Sequence, residues 1–172
     1  MKIFLKSILN FVLNPFLSRL KNKNLESLDK SIILNAKKLI NSQKNLSGTI
    51  NEYEFSAFSQ WGEDGIINFL IQNLDIKSKN FIEFGVENYL ESNTRFLLIN
   101  RNWSGLIMDM DKKNIFEIKN HYYYWRHDLK AVTAKITAEN INDLLEKNGF
   151  KKPIGLLSID IDGNDFWVWK NL

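Results

Sequence analysis

The sequence predicts an α/β fold with a mostly parallel sheet, preceded by a helical arm. Helical and strand-like segments alternate from residue 60 onward. The strand-like segments are short, continuous apolar runs, as expected of strands covered on both faces. Charge is divided as well. Residues 1–50 hold nine Lys/Arg and two Asp/Glu, and residues 51–172 hold fourteen and eighteen. The chain therefore reads as a basic helical N-terminal arm, 1–50, and a mildly acidic folded domain, 51–172. A length of 172 residues is room for one domain.

The arm comes first. Residues 3–20 (IFLKSILNFVLNPFLSRL) place Lys2, Lys6, Asn10, Asn14 and Ser18 four apart, with apolar residues on the other face. That spacing predicts an amphipathic helix, kinked or interrupted around Pro15. Lys6, Asn10, Asn14 and Pro15 break the apolar stretch too often for a transmembrane span. No small-residue cleavage site follows, so a signal peptide is not expected. Two readings stand: docking on an anionic membrane surface, or the plainer packing on the domain or a partner. Residues 25–42 predict a second helix, with Ile32, Ile33, Leu34, Leu39 and Ile40 on a buried face.

In the domain, 61–74 is helical, because Ile66, Ile67, Leu70, Ile71 and Leu74 recur at three- and four-residue spacing. NFIEFG (80–85) is a first strand ended by Gly85, 91–102 a helix, and GLIMD (105–109) a second strand. A short helix over 112–120 precedes the aromatic run YYYWRHD (122–128), which reads as a third strand. Residues 137–149 predict a helix with Thr137 as N-cap and Gly149 as its stop. IGLLSID (154–160) is a fourth strand, and a helix begins after Gly163.

In parallel sheets of this kind ligands bind beyond the carboxyl ends of the strands. Every strand so read stops at an acid: Glu83–Gly85, Asp109–Asp111, Asp128 and Asp160–Asp162. A nucleoside cofactor explains the pattern. Gly85 lets backbone approach a ligand, and Asp109 can accept both ribose hydroxyls. After Gly85 come Val86, Glu87, Asn88 and Tyr89, so G-x-G-x-x-G is absent. An acidic loop repels a pyrophosphate and suits a cofactor with a positive centre and an amino group, as S-adenosylmethionine has.

Composition narrows the chemistry. Cys is absent, which removes thiolate nucleophiles, disulfides and cysteine metal centres. The two histidines, His121 and His127, form no H-E-x-x-H pair. His121 reads as a surface residue and His127 as ordering the turn beside Asp128. The net charge of +3 gives no reason to expect nucleic acid. Tyr122–Trp125 reads as a buried strand before a sugar-stacking platform, and Trp167 and Trp169 as helix packing. Asn93 and Thr94 could cap a helix or bind the methionine end of a cofactor.

The runs FSQWGEDGI (58–66), FIEFGVENYLESNTRFLL, WSGLIMDMD, TAENINDLL and LLSIDIDGNDFWVW resemble the FkbM-type methyltransferases of bacterial surface-polysaccharide loci. The resemblance covers about residues 55–172, and the last run is its most specific part. It implies a Rossmann-like methyltransferase fold, S-adenosylmethionine as donor, and O-methylation of a glycan or small-molecule acceptor, often at a sugar hydroxyl. By position, Glu83 and Gly85 match its first cofactor motif, Asp109 its ribose acid, and Asp128 the acid at the adenine amino group. Asp160 and Asp162 match the acids beside the transferred methyl, where either could act as general base.

Two departures follow. Glu87 stands where a second glycine is usual, and the family sheet is longer than the strands read here. The sheet is thus expected to be incomplete after its fourth strand, through truncation or because a partner chain completes it. The expected location is the cytoplasm, with peripheral contact at the inner face of the membrane through the arm. Mg²⁺ on Asp160/Asp162 is a less favoured addition. Two alternatives remain: a metal-dependent glycosyltransferase using the D-x-D runs at 109–111 and 160–162, and an inactive truncated domain.

Overall fold

The computed structural model describes residues 2–43, 48–150 and 153–172, with side chains described from Leu13 onward. The element order is α1 (Lys2–Ser42), a 3-10 turn (Ile50–Tyr53), α2 (Glu63–Asn73), β1 (Asn80–Phe84), α3 (Arg95–Arg101) and β2 (Ser104–Asp109). It continues with α4 (Lys112–Lys119), α5 (Tyr122–Arg126), β3 (Leu129–Thr133), α6 (Ile141–Lys147), β4 (Leu156–Ile159) and α7 (Asp165–Lys170).

The strands form one all-parallel sheet in the order β3-β2-β1-β4. Phe81 pairs with Gly105 on one side and Leu156 on the other. The chain is an α/β protein consistent with a Rossmann-like fold. Alternate side chains explain the continuous apolar runs. Phe81 and Ile107 enter one core with Leu97, Leu98, Ile118 and Tyr123. Ile82, Phe84, Leu106 and Met108 enter the other with Ile141, Leu145 and Val168. Both faces of β1 and β2 are therefore dry, and each fully buried side chain contributes roughly 1.5–3 kcal/mol.

A third cluster seats α1: Ala36, Ile32, Ile33 and Ile40 pack on Phe55, Phe58 and Phe96. Beside it lies a buried ion pair. Arg95 Nη2 donates to Asp29 Oδ2 at 2.6 Å, with both side chains nearly inaccessible. Tyr122 Oη donates to the same oxygen at 2.5 Å. The Arg95 guanidinium lies between the rings of Phe58 and Tyr123, 4.4 and 5.0 Å from their centroids. Its Nη1 donates to the Leu90 carbonyl at 2.7 Å.

Several expectations are corrected. The arm is one continuous helix rather than two, and Pro15 lies inside it. Leu34 and Leu39 are exposed, because the face that docks carries Asp29, Ile32, Ile33, Ala36 and Ile40. The helix expected over 91–102 begins only at Arg95, since Ser92, Asn93 and Thr94 are drawn to Glu83. Thr137 is not a cap. The helix starts at Ile141, and Asn140 Oδ1 accepts from Thr137 N. Gly149 does act as the stop, with φ +86° and the Phe150 amide bonded back to the Leu145 carbonyl.

The largest correction concerns the aromatic run. Tyr122–Arg126 is helical, and the third strand is Leu129–Thr133. Tyr122 and Tyr123 are buried and Trp125 is exposed, which a single helical turn achieves. His121, expected at the surface, is buried and stacks on Tyr123 at 5.2 Å. Trp167 and Trp169, expected to pack, are more than half exposed.

Candidate functional site

Five loops meet at the carboxyl edge of the sheet around a cleft of about 700 Å³. Gln60 comes from the loop before α2, and Gly85 and Glu87 from the loop after β1. Asp109, Asp111 and Asn114 follow β2, Lys135 follows β3, and Asp160, Asp162 and Asn164 follow β4.

Gly85 fixes the floor. Its φ is +74°, and a Cβ placed on it would stand 1.6 Å from the Asp160 carbonyl oxygen. Any side chain would collide with the end of β4, so the glycine is required by strand contact as well as by backbone angle. Glu87, Tyr89 and Asp162 also have positive φ, at 45°, 60° and 53°. Tyr89 is buried in the core, whereas Glu87 and Asp162 carry this strain at the cleft itself, which points to a functional constraint there.

Asp109 joins two loops. One oxygen accepts from Glu87 N at 2.8 Å, and the other from Asp111 N at 2.8 Å and Asn114 Nδ2 at 3.4 Å. A carboxylate offers about four acceptor positions, so capacity remains for a ligand hydroxyl. Asp111 caps α4 by accepting from Lys113 N at 2.7 Å. Both acids of this D-x-D run are thus turned to backbone amides.

Asp160 and Asp162 are exposed in the cleft. Among the described residues no hydrogen bond engages either carboxylate. Asp165 shapes their loop, its carboxylate accepting from Ile161 N at 2.9 Å and Gly163 N at 3.1 Å. Those amides hold the Asp165 carboxyl below its ordinary range, chiefly through Ile161 N.

Glu83 does not line the cleft, contrary to its expected cofactor contact. It is buried and accepts from Ser92 Oγ and Thr94 Oγ1 at 2.6 Å, Asn93 N at 2.9 Å, and Thr94 N and Ser158 Oγ at 3.3 Å. Burial pushes its carboxyl up, and the hydrogen bonds from Ser92 and Thr94 oppose that rise. Its work is to fold the loop after β1 onto the sheet. Asn93 and Thr94 are taken up by this loop, with Asn93 Nδ2 also donating to Ser158 Oγ at 3.2 Å.

Asp128 is not brought to the cleft either. It precedes β3, and its carbonyl accepts from Gly105 N at the amino end of β2. The expected position assumed a strand ending at 128, whereas β3 starts at Leu129 and ends at Thr133. Gly85, Asp109, Asp160 and Asp162 are the expected residues that the fold does bring together.

The G-E-D-G run has a clear task. Asp64 Oδ2 accepts from the amides of Ala57, Phe58 and Ser59 at 2.6–2.8 Å, while Glu63 Oε2 accepts from Trp61 N and Gly62 N. Two carboxylates at the start of α2 therefore clamp the loop that presents Gln60. Sequence reasoning missed Gln60, Asn114, Lys135 and Asn164. No pattern set Lys135 apart, since three alternating positions, Leu129-Lys130-Ala131, are too few to fix where the strand before it ends.

Among the described residues no group of three or more His, Asp or Glu is placed to hold a metal ion. No described helix is long and apolar enough to cross a membrane. Compared with known proteins, the chain matches no family model, no curated protein and no solved structure.

Proposed function

We propose that the chain is an S-adenosylmethionine-dependent O-methyltransferase acting on a sugar hydroxyl. The observation that carries this reading is the cleft floor, where Gly85 meets the end of β4 and Asp109 stands at the end of β2. A ribose set against Asp109 would lie across the carboxyl ends of β1 and β2, where α/β sheets take nucleosides. The acids lining the cleft, Glu87, Asp111, Asp160 and Asp162, favour a sulfonium and an amino group over a pyrophosphate. Asp160 or Asp162, both uncommitted and exposed, would take the one proton of the acceptor hydroxyl as the methyl moves in line from sulfur to oxygen. Gly85 and Asp109 would seat the cofactor, while Glu83 and Asp64 hold the loops around it.

The D-x-D glycosyltransferase reading would place its metal on Asp109 and Asp111, which already accept backbone amides, or on Asp160 and Asp162, which do not. The two readings separate by ligand. Thermal unfolding with S-adenosylhomocysteine at a hundredfold excess over its dissociation constant should gain about 2.7 kcal/mol. Asp109→Asn should lose that gain. A cooperative melt unmoved by S-adenosylhomocysteine but raised by a nucleotide sugar with Mn²⁺ would replace the methyltransferase with the glycosyltransferase.

A further inference from the structure

Helix α1 has two halves with different surroundings. From Asn22 onward it is tied to the domain: Asn22 Nδ2 donates to the Asn120 carbonyl at 2.8 Å, and Asp29 is buried against Arg95. Every residue from Leu13 to Lys21 is exposed. At 1.5 Å per residue, the stretch from Lys2 to Lys21 projects roughly 30 Å beyond that seat.

The projecting half carries an apolar stripe. Leu13, Phe16, Leu17 and Leu20 are 40–59% exposed. Their spacing of three, one and three places them within an arc of about 100°. Cations flank the stripe on both sides. Lys21 continues the line beyond Leu17, and Arg19 and Lys23 border Phe16 and Leu20 on the opposite flank. The first acid of the helix is Glu26.

We infer that this half of α1 docks in the interface of an anionic lipid bilayer, with the stripe among the acyl chains and Arg19, Lys21 and Lys23 at the headgroups. The charge pattern selects that occupant. A second copy seated stripe to stripe would set cation against cation, because residues 1–25 contain no acid to pair with them. An anionic surface meets Arg19, Lys21 and Lys23 alike. The stripe supplies the apolar contact and the flanking cations the attraction that interfacial helices combine. Domain and cleft would then be held beside the membrane by one rigid helix, independently of what the cleft binds.

Vesicle co-sedimentation of the full 172-residue chain tests this. Vesicles of phosphatidylglycerol and phosphatidylethanolamine should pellet the protein, those of phosphatidylcholine should pellet it much less, and 0.5 M salt should release it, since salt screens surface charge. Phe16→Gln/Leu17→Gln/Leu20→Gln keeps every charge and should abolish pelleting. Arg19→Gln/Lys21→Gln/Lys23→Gln should weaken it by roughly fivefold per charge removed. Circular dichroism and thermal melting check that both variants are folded, as expected for exposed positions. Three outcomes overturn the inference: no pelleting on anionic vesicles, pelleting that the apolar triple variant retains, or a dimer in solution that the same triple variant dissolves.

Discussion

The turns after β1 and β4 lie side by side, and they use their acids in opposite ways. Glu83 is enclosed by five donors and never reaches the cleft. Asp160 and Asp162 stand exposed in it, on a loop that Asp165 shapes instead. An acid at a strand end is therefore not informative by itself. What separates the two uses is the supply of donors nearby. Ser92, Asn93 and Thr94 surround Glu83 with hydroxyls and amides, whereas the amides beside Asp160 and Asp162 are already spent on Asp165. A carboxylate that lacks such donors stays solvated and available to a ligand.

The sharpest way to break this contrast is at Gly85, where the two turns touch. Gly85→Ala forces a Cβ into the Asp160 carbonyl and holds alanine at φ +74°. The expected loss is about 4 kcal/mol or more, among the largest single-residue effects. Chemical denaturation, or failure to recover folded protein, would register it. A variant of near-normal stability would mean that the turns are not locked together.

A second locked carboxylate extends the test to the seat of α1. Asp29→Ala leaves the Arg95 guanidinium buried without its counter-charge, and its partner Tyr122 loses its acceptor. Removing one member of a buried pair costs about 3–5 kcal/mol. Because Arg95 Nη1 also holds the Leu90 carbonyl, the loop after β1 should loosen as well, which hydrogen exchange at 86–94 would report. The displayed acids should behave in the reverse sense. Asp160→Asn and Asp162→Asn should change stability by no more than about 0.5 kcal/mol. Asn tolerates the positive φ at 162 as Asp does. In the proposed reaction their loss should appear in turnover, by roughly 10²–10⁴-fold for the acid that serves as base.

Much of the fold was legible because three strands are continuously apolar and the helices between them keep a clear period. The cleft followed from the rule that parallel sheets bind ligands at their carboxyl edge. What failed was local. Tyr122–Trp125 has strand propensity, but its tyrosines are needed on one side, against Arg95, Asp29 and Tyr89, and a helical turn delivers them there. Tertiary packing overrode propensity, and the error moved Asp128 to the wrong edge of the sheet. Glu83 was misread for a different reason. No pattern in one sequence says whether an acid at a strand end will find donors from residues nine to eleven positions later.

The smallest expected effect probes the locked side through pH. His121 sits between α1 and α5, buried against Tyr123 and near Asn22 Oδ1 at 3.4 Å. Burial lowers its pKa below the usual 6.5, and the charges of Arg95 and Lys21 add to that, while Glu117 and Asp29 oppose it. Burial lowers His127 too, with help from Arg126. The unfolded chain therefore binds protons more readily than the folded one just below pH 6.5. The contribution of the neutral imidazoles is fully present above 6.5 and is lost as pH falls from there through their lowered folded pKa values. The slope has a ceiling of about 1.4 kcal/mol per pH unit for each histidine. Melting curves between pH 7.5 and 5.5 should drift downward, and His121→Gln should flatten the drift, leaving the part due to His127. An unchanged drift in that variant would place the proton-sensitive contact elsewhere than between α1 and the domain.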